Sequence, residues 1–350
     1  HNETLNRLHP ARIEYRVTAI TEASPSAKTF RLTPVNGYIP PFRPGQFINV
    51  DMEINGIRTS RAYTLSSPVT ERGYYEITVR RAPNAFGSAH ILDDVKVGDT
   101  VTSSGPSGTF YRLPCVHGKR LVFIAGGSGI TPFLSMLQTD ADKLDHSFDI
   151  DLIYGSASED DIIAKAQLDK LEAEGYVRVH HVISNPGKNC PYRTGFVTGE
   201  LIQEIVGDIS ACTFYMCGPN VMYRFVRSEL EKLGVPRRAI RQEVEVIPNS
   251  PREFPGWPEN VDGNSVFIIS LPDGCKIPAK ATDTIMKSLE DAGVVVPNLC
   301  RSGECSTCRT KLLSGTVFHP GTEMLRKSDM RYGYIHPCVA YPISDISLLI

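Results

Sequence analysis

The chain has 350 residues, 37 Lys and Arg against 39 Asp and Glu, and 41% apolar residues. That length accommodates two or three domains with buried cores, and a formal net charge of -2 without a basic tract excludes a nucleic-acid reading. No apolar run approaches the roughly 18 residues that span a bilayer, and nothing near the start has the pattern of a signal peptide. There are nine cysteines, an odd number in a chain far longer than disulfide-stapled secreted domains, so a reducing cytoplasm is expected. The first residue is His1 rather than Met, which fits a tag remnant, a processed end or a cut from a longer polypeptide.

In chain order, residues from about 11 to 113 carry many short strand patterns with regular turn signals. They include PGQFINVDM (44–52), RTSRAYTLSSP (58–68), YYEITVRR (74–81) and VGDTVTSSGPSGTFY (97–111). Such spacing predicts an antiparallel β-barrel. NAFGSAHIL (84–92) sets Gly87 and Ser88 at the start of a short helix, where exposed N–H groups make an anion site. Taken alone, RTSRAYTLSSP reads as a half-buried strand and a polar turn.

Next comes RLVFIAGGSGITPFLSML (120–137). A buried strand ends at Ala125, a glycine-rich turn follows, and the helix is expected to begin at Pro132, a residue suited to a first helical position. Strand, glycine loop and helix together hold a dinucleotide, although a lone loop of this kind is also an ordinary tight turn. FDIDLIY (148–154), DIIAKAQLDKLEAE (161–174), VRVHHVI (177–183) and ELIQEIV (200–206) continue as alternating strands and helices. A strand then runs into Cys217-Gly218-Pro219 and a further helix. The pattern predicts a doubly wound parallel α/β sheet. The loop Gly155-Ser156-Ala157-Ser158-Glu159-Asp160-Asp161 has three carboxylates and no Lys or Arg. It would repel a 2′-phosphate and accept a ribose hydroxyl, so NADH is expected, with Arg193 the one cation that a distant loop could bring in.

Segment 247–262, IPNSPREFPGWPENVD, has four prolines and few apolar residues and reads as a linker, with Trp257 placed to pin domains together. SVFIISL (265–271) alternates like a strand, and DTIMKSLEDAG (283–293) reads as a helix with Asp283 as N-cap and Gly293 as its end. Then Cys300, Cys305 and Cys308 follow as C-x4-C-x2-C, and Cys338 comes after 29 further residues. This is the plant-type [2Fe–2S] spacing. Ser302, Gly303, Ser306 and Thr307 are small or polar and let backbone N–H groups approach the sulfurs. Zinc sites show two Cys-x2-Cys pairs or a histidine pair, and a thioredoxin-like pair leaves Cys300 and Cys338 unexplained. Cys115, Cys190, Cys212 and Cys275 have no ligand spacing and read as structural.

With these motifs in place, the chain from about residue 11 to 350 resembles the single-chain flavin, NAD and plant-type [2Fe–2S] reductases of the ferredoxin–NADP⁺ reductase superfamily. That family includes reductase components of Rieske-type oxygenases and the NADH reductase of the hybrid cluster protein. The resemblance implies a flavin domain at 1–114, an NAD domain at 115–248, a linker at 249–262 and a ferredoxin domain at 263–350, the last an α+β fold. Arg61-Ala62-Tyr63-Thr64 matches the R-x-Y-[ST] flavin motif. By resemblance, Arg61 pairs with a flavin phosphate, Tyr63 stacks on the isoalloxazine and Thr64 hydrogen-bonds near flavin N5, with Ala62, Thr78, Arg80, Gly87 and Ser88 also lining the flavin. Gly127, Gly129, Thr131 and Pro132 match the G-x-G-[IV]-[TA]-P loop, and Cys217, Gly218 and Pro219 match the C-G-P motif that sets a cysteine beside the nicotinamide C4. Glu243 is implied close to the flavin; the aromatic found beside it in relatives is absent, with Val244 and Val246 there instead. FAD is the expected flavin, FMN remaining open. The implied activity passes electrons from NADH through flavin and cluster to a partner protein. An oxygenase component leads as partner, and hybrid cluster protein or a small acceptor is the alternative.

Overall fold

The structure is a computed structural model, and it describes residues 12–82, 86–113, 116–243, 251–320 and 325–350. Asn84, Ala85, Cys115, Val244, Val246, residues 247–250 and the expected boundaries after 114 and 248 lie outside the described residues. By its contacts the chain forms two compact units, one of residues 1–50 and 63–243 and the other of 51–62 and 244–350.

The first part of the chain supplies β1 (Ile13–Ser24), β2 (Ala27–Pro34), β3 (Phe47–Ile54), β4 (Ile57–Thr64), β5 (Tyr75–Arg80), α1 (Phe86–Asp93) and β6 (Thr100–Ser103). The six strands form one sheet in the order β4-β3-β6-β1-β2-β5. Alternation drives it: Ile13, Tyr15 and Val17 of β1 point inward while Glu14 and Arg16 face solvent. The expected antiparallel barrel takes the form of a six-stranded antiparallel sheet, with no closed barrel among the described residues. Beyond β4, Leu65 makes one isolated bridge to Ile77 of β5. The Ser66 amide reaches the Glu76 carbonyl of β5 at 2.8 Å while the Leu65 amide turns back to the Gln46 carbonyl at 2.9 Å, so the two edges meet at a single bridge rather than in a ladder.

The NAD part contributes β7 (Arg120–Gly126), α2 (Thr131–Asp142), β8 (Asp149–Ser156), α3 (Lys165–Ala173), β9 (Arg178–Ile183), β10 (Arg193–Thr194), α4 (Gly199–Val206), β11 (Thr213–Cys217), α5 (Asn220–Lys232) and β12 (Ile240–Gln242). Its sheet runs β10-β9-β8-β7-β11-β12, all parallel. Both faces are covered, which is why β7 and β11 read as continuous apolar runs. Phe123, Phe133 and Leu152 pack on one face, and Ile124, Phe214 and Val226 on the other. Helix α2 begins at Thr131 with Pro132 in its first turn. Helix α3 starts at Lys165, later than its apolar pattern suggested, because Glu159–Asp161 form a 3₁₀ turn and Ala164 takes a left-handed φ of 57°.

The second unit carries β13 (Val266–Ser270), β14 (Lys276–Lys280), α6 (Ile285–Asp291), β15 (Thr310–Ser314), β16 (Val317–Phe318), α7 (Lys327–Arg331), β17 (Tyr334–Ile335), β18 (Tyr341–Pro342) and β19 (Ile346–Leu349). A mixed sheet in the order β14-β13-β19-β15-β17 packs on α6, with β16 and β18 as a separate pair. Thr284, not Asp283, caps α6: its Oγ1 accepts from the Lys287 amide at 3.2 Å. Asp283 pairs instead with the Lys287 ammonium at 2.9 Å. Trp257 packs edge-on against Phe318, ring centres 5.2 Å apart, and donates its Nε1–H to the Val261 carbonyl at 3.1 Å. Among the described residues no helix is long and apolar enough to cross a membrane.

At the N-terminal edge of the parallel sheet, Asp151 is 1% exposed and meets Arg120 at 2.5 Å, Arg178 at 2.9 Å and His180 at 2.9 Å. Burial pushes its carboxyl up; hydrogen bonds from His180, Arg178 and Arg120 outweigh that and hold it well below the ordinary range. Asp151→Asn removes the buried acceptor that Arg120, Arg178 and His180 share. Because these cations are partly exposed and Asp149 still pairs with both arginines, it should cost about 1–3 kcal/mol at neutral pH by chemical denaturation. The carboxylate's contribution is complete above its unfolded pKa of about 4 and is lost as pH falls toward the depressed folded value. The gap between wild type and variant should therefore narrow below pH 4 or so.

Candidate functional site: a dinucleotide switch point and a four-thiol loop

In the parallel sheet, β8 lies on one side of β7 and β11 on the other. The strand order reverses there, and the crevice beyond the strand ends is where open α/β sheets take ligands. Two loops leave the sheet at this point. One is the glycine turn after β7, the other Cys217-Gly218-Pro219 after β11, with Cys217 paired in register to Ala125. The two backbones nearly touch. A Cβ on Gly129 would overlap the Cys217 carbonyl and lie 2.7 Å from the Gly218 nitrogen. Gly127 takes a φ of +53°, which tightens the turn without a side-chain penalty. Thr131 donates its hydroxyl to the Ser128 carbonyl at 3.0 Å.

Two tyrosines that the motifs did not reveal brace these loops. Tyr154 donates its hydroxyl to the Gly127 carbonyl at 3.0 Å, and the Gly218 amide donates to the Tyr223 hydroxyl at 3.1 Å. Both follow from register: Tyr154 lies near the end of β8, beside β7, and Tyr223 is one helical turn beyond Pro219.

Thr64, Cys217 and Glu243 come together. Thr64 donates its hydroxyl to Glu243 Oε1 at 3.0 Å, and the Cys217 thiol donates to Glu243 Oε2 at 2.6 Å. The Glu243 amide bonds the Met216 carbonyl at 3.0 Å, so the β11–β12 pairing carries the carboxylate to this place. Burial pushes the Glu243 carboxyl up, against the hydrogen bonds from Cys217 and Thr64 that pull it down. Burial, and then the Glu243 charge, push the Cys217 thiol well up, so it stays neutral at physiological pH. The result is a proton-holding array of hydroxyl, carboxyl and thiol, with Tyr63 next to it in sequence.

The other predicted flavin residues are more scattered. Thr78 is buried, its hydroxyl 2.8 Å from that of Thr29 and 3.1 Å from that of Ser66. Arg80 donates to Ser26 Oγ at 3.1 Å and Asp161 Oδ2 at 3.3 Å, with its guanidinium beside Gly127. Gly87 and Ser88 sit in the first turn of α1, and the Ser88 hydroxyl accepts from the Ala82 amide at 3.1 Å. Arg61 and Ala62 fall in the second unit, where Arg61 donates to Thr59 Oγ1 at 2.6 Å and to the Ser60 carbonyl at 2.7 Å.

In the acidic loop after β8, two of the three carboxylates have hydrogen-bond partners within the protein. Asp161 accepts from the Ser24 and Ser26 hydroxyls, each at 2.6 Å, and Glu159 from the Gly187 amide at 2.9 Å. Only Asp160 of the three remains exposed. Arg193 lies 3.0 Å from Glu204 in a surface pair.

In the second unit, Cys300, Cys305, Cys308 and Cys338 gather as two pairs. Cys300 Sγ accepts from the Cys305 amide at 3.3 Å and the Ser302 amide at 3.4 Å, and the sulfurs of Cys308 and Cys338 are 3.3 Å apart. Left-handed φ values at Arg301, Gly303 and Ser306 (57°, 85° and 57°) wind the loop tightly enough for this. A hydrogen bond with Cys300 draws the Cys305 thiol down to about 4 and one with Cys338 lowers Cys308, while the same bonds push Cys300 and Cys338 up, so each pair holds one thiolate against one thiol. Among the described residues no set of three or more His, Cys, Asp or Glu side chains is arranged for a single metal ion. Four thiols in two pairs, with amides aimed at sulfur, are the donors a two-iron, two-sulfide cluster needs, two per iron.

Family models agree with this division of labour. The oxidoreductase FAD-binding domain matches residues 14–111, the oxidoreductase NAD-binding domain 123–228 and the 2Fe-2S iron-sulfur cluster binding domain 268–342. A flavin sheet, a dinucleotide fold and a four-thiol ferredoxin in one chain define an NADH-dependent oxidoreductase that uses FAD and [2Fe–2S]. The chain is 29% identical over 336 residues to NADH oxidoreductase HCR of Escherichia coli, covering 95% of this chain and 96% of that one. It is 29% identical to the carnitine monooxygenase reductase subunit of the same organism, over 87% of this chain and 88% of the relative. The solved phthalate dioxygenase reductase, described as a modular structure for electron transfer from pyridine nucleotides to [2Fe–2S], superposes with a TM-score of 0.71 at 26% identity, covering 97% and 98% of the two chains. The chain belongs to the single-chain flavin, NAD and plant-type [2Fe–2S] reductases of the ferredoxin–NADP⁺ reductase superfamily.

Gly129→Ala tests the close approach of the two loops. The added methyl must push the β11 end away, at a cost of about 1–3 kcal/mol. Both the denaturation midpoint and NADH affinity should fall, and a variant that binds NADH like wild type would show that the loops separate freely.

Proposed function

We propose that this chain is the reductase component of an oxygenase system and delivers electrons singly to a partner protein of the Rieske type. The observation that carries it is the four-thiol loop at the end of a flavin–NAD chain. It is supported by the near full-length likeness to the carnitine and glycine betaine monooxygenase reductase subunits. A second reading is a different redox partner, such as hybrid cluster protein, favoured by the end-to-end match to NADH oxidoreductase HCR. The family matches also support the domain limits of 1–114, 115–248 and 263–350, with the intervening 249–262 joining the last two. Unpaired cysteines among the described residues fit a reducing, cytoplasmic setting.

When bound, FAD accepts two electrons as a hydride from NADH and releases them singly, and the cluster carries one at a time. In this reading Tyr63 supplies the stacking face, and Arg61 and the α1 start at Gly87 and Ser88 meet flavin phosphates. Thr78, Arg80 and Ala62 complete the flavin residues that the resemblance implies. Gly127, Gly129, Thr131 and Pro132 cradle the NADH pyrophosphate at the start of α2, while Cys217, Gly218 and Pro219 close over the nicotinamide. Glu243 orients the Thr64 hydroxyl and the neutral Cys217 thiol and keeps water from the reacting face. Cys300, Cys305, Cys308 and Cys338 hold the cluster.

Anaerobic titration with NADH, followed by optical and electron paramagnetic resonance spectra, is the primary test. Flavin bleaching followed by a rhombic cluster signal is expected in wild type; Cys308→Ser should bleach but give no signal. Bleaching without a cluster signal in wild type would end the electron-export reading. Reconstitution with an oxygenase component or with hybrid cluster protein then separates the two partners by which one turns over. Glu243→Gln should slow flavin reduction by about 10²-fold in stopped-flow, the low end for a positioned proton-handling group, and an unchanged rate would remove Glu243 from the reaction.

A further inference from the structure

The β3–β4 hairpin, residues 51–62, belongs by its contacts to the unit that holds the ferredoxin fold. One buried carboxylate joins it to the cluster loop. Glu290 lies on α6 with its side chain 7% exposed and accepts a forked pair of bonds from Arg301, each 2.7 Å. Arg301 directly follows the ligand Cys300. The Glu290 Oε2 also accepts from the buried Thr59 hydroxyl at 3.1 Å. Thr59 Oγ1 in turn accepts from Arg61 at 2.6 Å. Alongside, Ser60 donates to Asn298 Oδ1 at 2.8 Å, two residues before Cys300.

The direction of every bond is fixed. Arg61 and Arg301 can only donate. A carboxylate can only accept when ionised, and the Thr59 hydroxyl does one of each. The chain Arg61→Thr59→Glu290←Arg301 is therefore fully satisfied in one arrangement, in a low-dielectric setting where such networks hold geometry firmly. Neither end alone needs it: Arg301 has both carboxylate oxygens without Thr59, and Arg61 also has the Ser60 carbonyl.

We propose that Thr59 and Glu290 are positioning residues for electron transfer: they lock the flavin-motif arginine, Arg61, to the loop that holds the cluster. The inference rests on the reading of Arg61 as a flavin-phosphate partner. The step it serves oxidises the reduced flavin by one electron and takes one cluster iron from iron(III) to iron(II). Rigid placement of a group by its supporting shell is what such a step needs, and loss of that kind of support typically costs 10–100-fold.

Thr59→Val removes the hydroxyl and keeps the shape, and Thr59→Ser restores the hydroxyl. Iron and sulfide per chain should match wild type in both, because Arg301 keeps its fork to Glu290. FAD affinity of flavin-stripped Thr59→Val should fall on the order of tenfold. In stopped-flow at saturating FAD, its cluster-reduction phase should slow by about the same factor while NADH bleaches the flavin at the wild-type rate. Thr59→Ser should recover both. A Thr59→Val protein with wild-type FAD affinity and cluster phase overturns the inference and leaves the functional reading standing. Loss of the cluster in Thr59→Val also overturns it, since the hydroxyl would then serve cluster assembly. Absence of any cluster phase in wild type defeats the functional reading itself.

Discussion

The dinucleotide half depends on one contact between backbones, the Gly129 Cα against the carbonyl of Cys217. Two parallel strands end side by side, and their outgoing loops must pass each other with no side chain between them. That approach places the amides of one loop and the thiol of the other at the same crevice. It also explains why residues from opposite ends of the fold, Thr64 and Glu243, meet through a thiol at the end of β11. The sheet order forces it: β12 pairs beside β11, so the chain leaving β12 carries Glu243 to the strand ends.

The second unit meets a different constraint. A cluster with two irons needs four anionic sulfurs in a small space, and such charge is tolerated only where hydrogen bonds offset it. The loop answers with three left-handed residues that turn amides toward Cys300. Arg301 can hold one of those positions although it is not glycine, because its side chain is clamped by Glu290. Charge neutralisation of α6 and winding of the loop are thus one arrangement, and the hairpin at 51–62 is drawn into it through Thr59.

Much of this was legible in the sequence because spacing survives without a fold. The C-x4-C-x2-C run, the glycine loop after an apolar strand and the C-G-P turn each encode local geometry. Legibility failed where long-range pairing decides. Whether the first sheet closes depends on where the Leu65 and Ser66 amides turn, which no periodicity records. The cap of α6 was misplaced by one residue because Asp283 and Thr284 are both capping types and only the bond to the Lys287 amide chooses between them. Tyr154 and Tyr223 are core aromatics that no motif marks, and their hydroxyls hold the two loops.

The acidic loop after β8 makes the same point about function. Three carboxylates in a row suggest a surface tuned to a ribose hydroxyl. Two of them are committed elsewhere, Asp161 to Ser24, Ser26 and Arg80, and Glu159 to the Gly187 amide. The loop has no cation of its own, Asp160 faces solvent, and Arg193 pairs with Glu204. Asp161 braces Arg80 beside the glycine turn, and Glu159 braces the Gly187 amide.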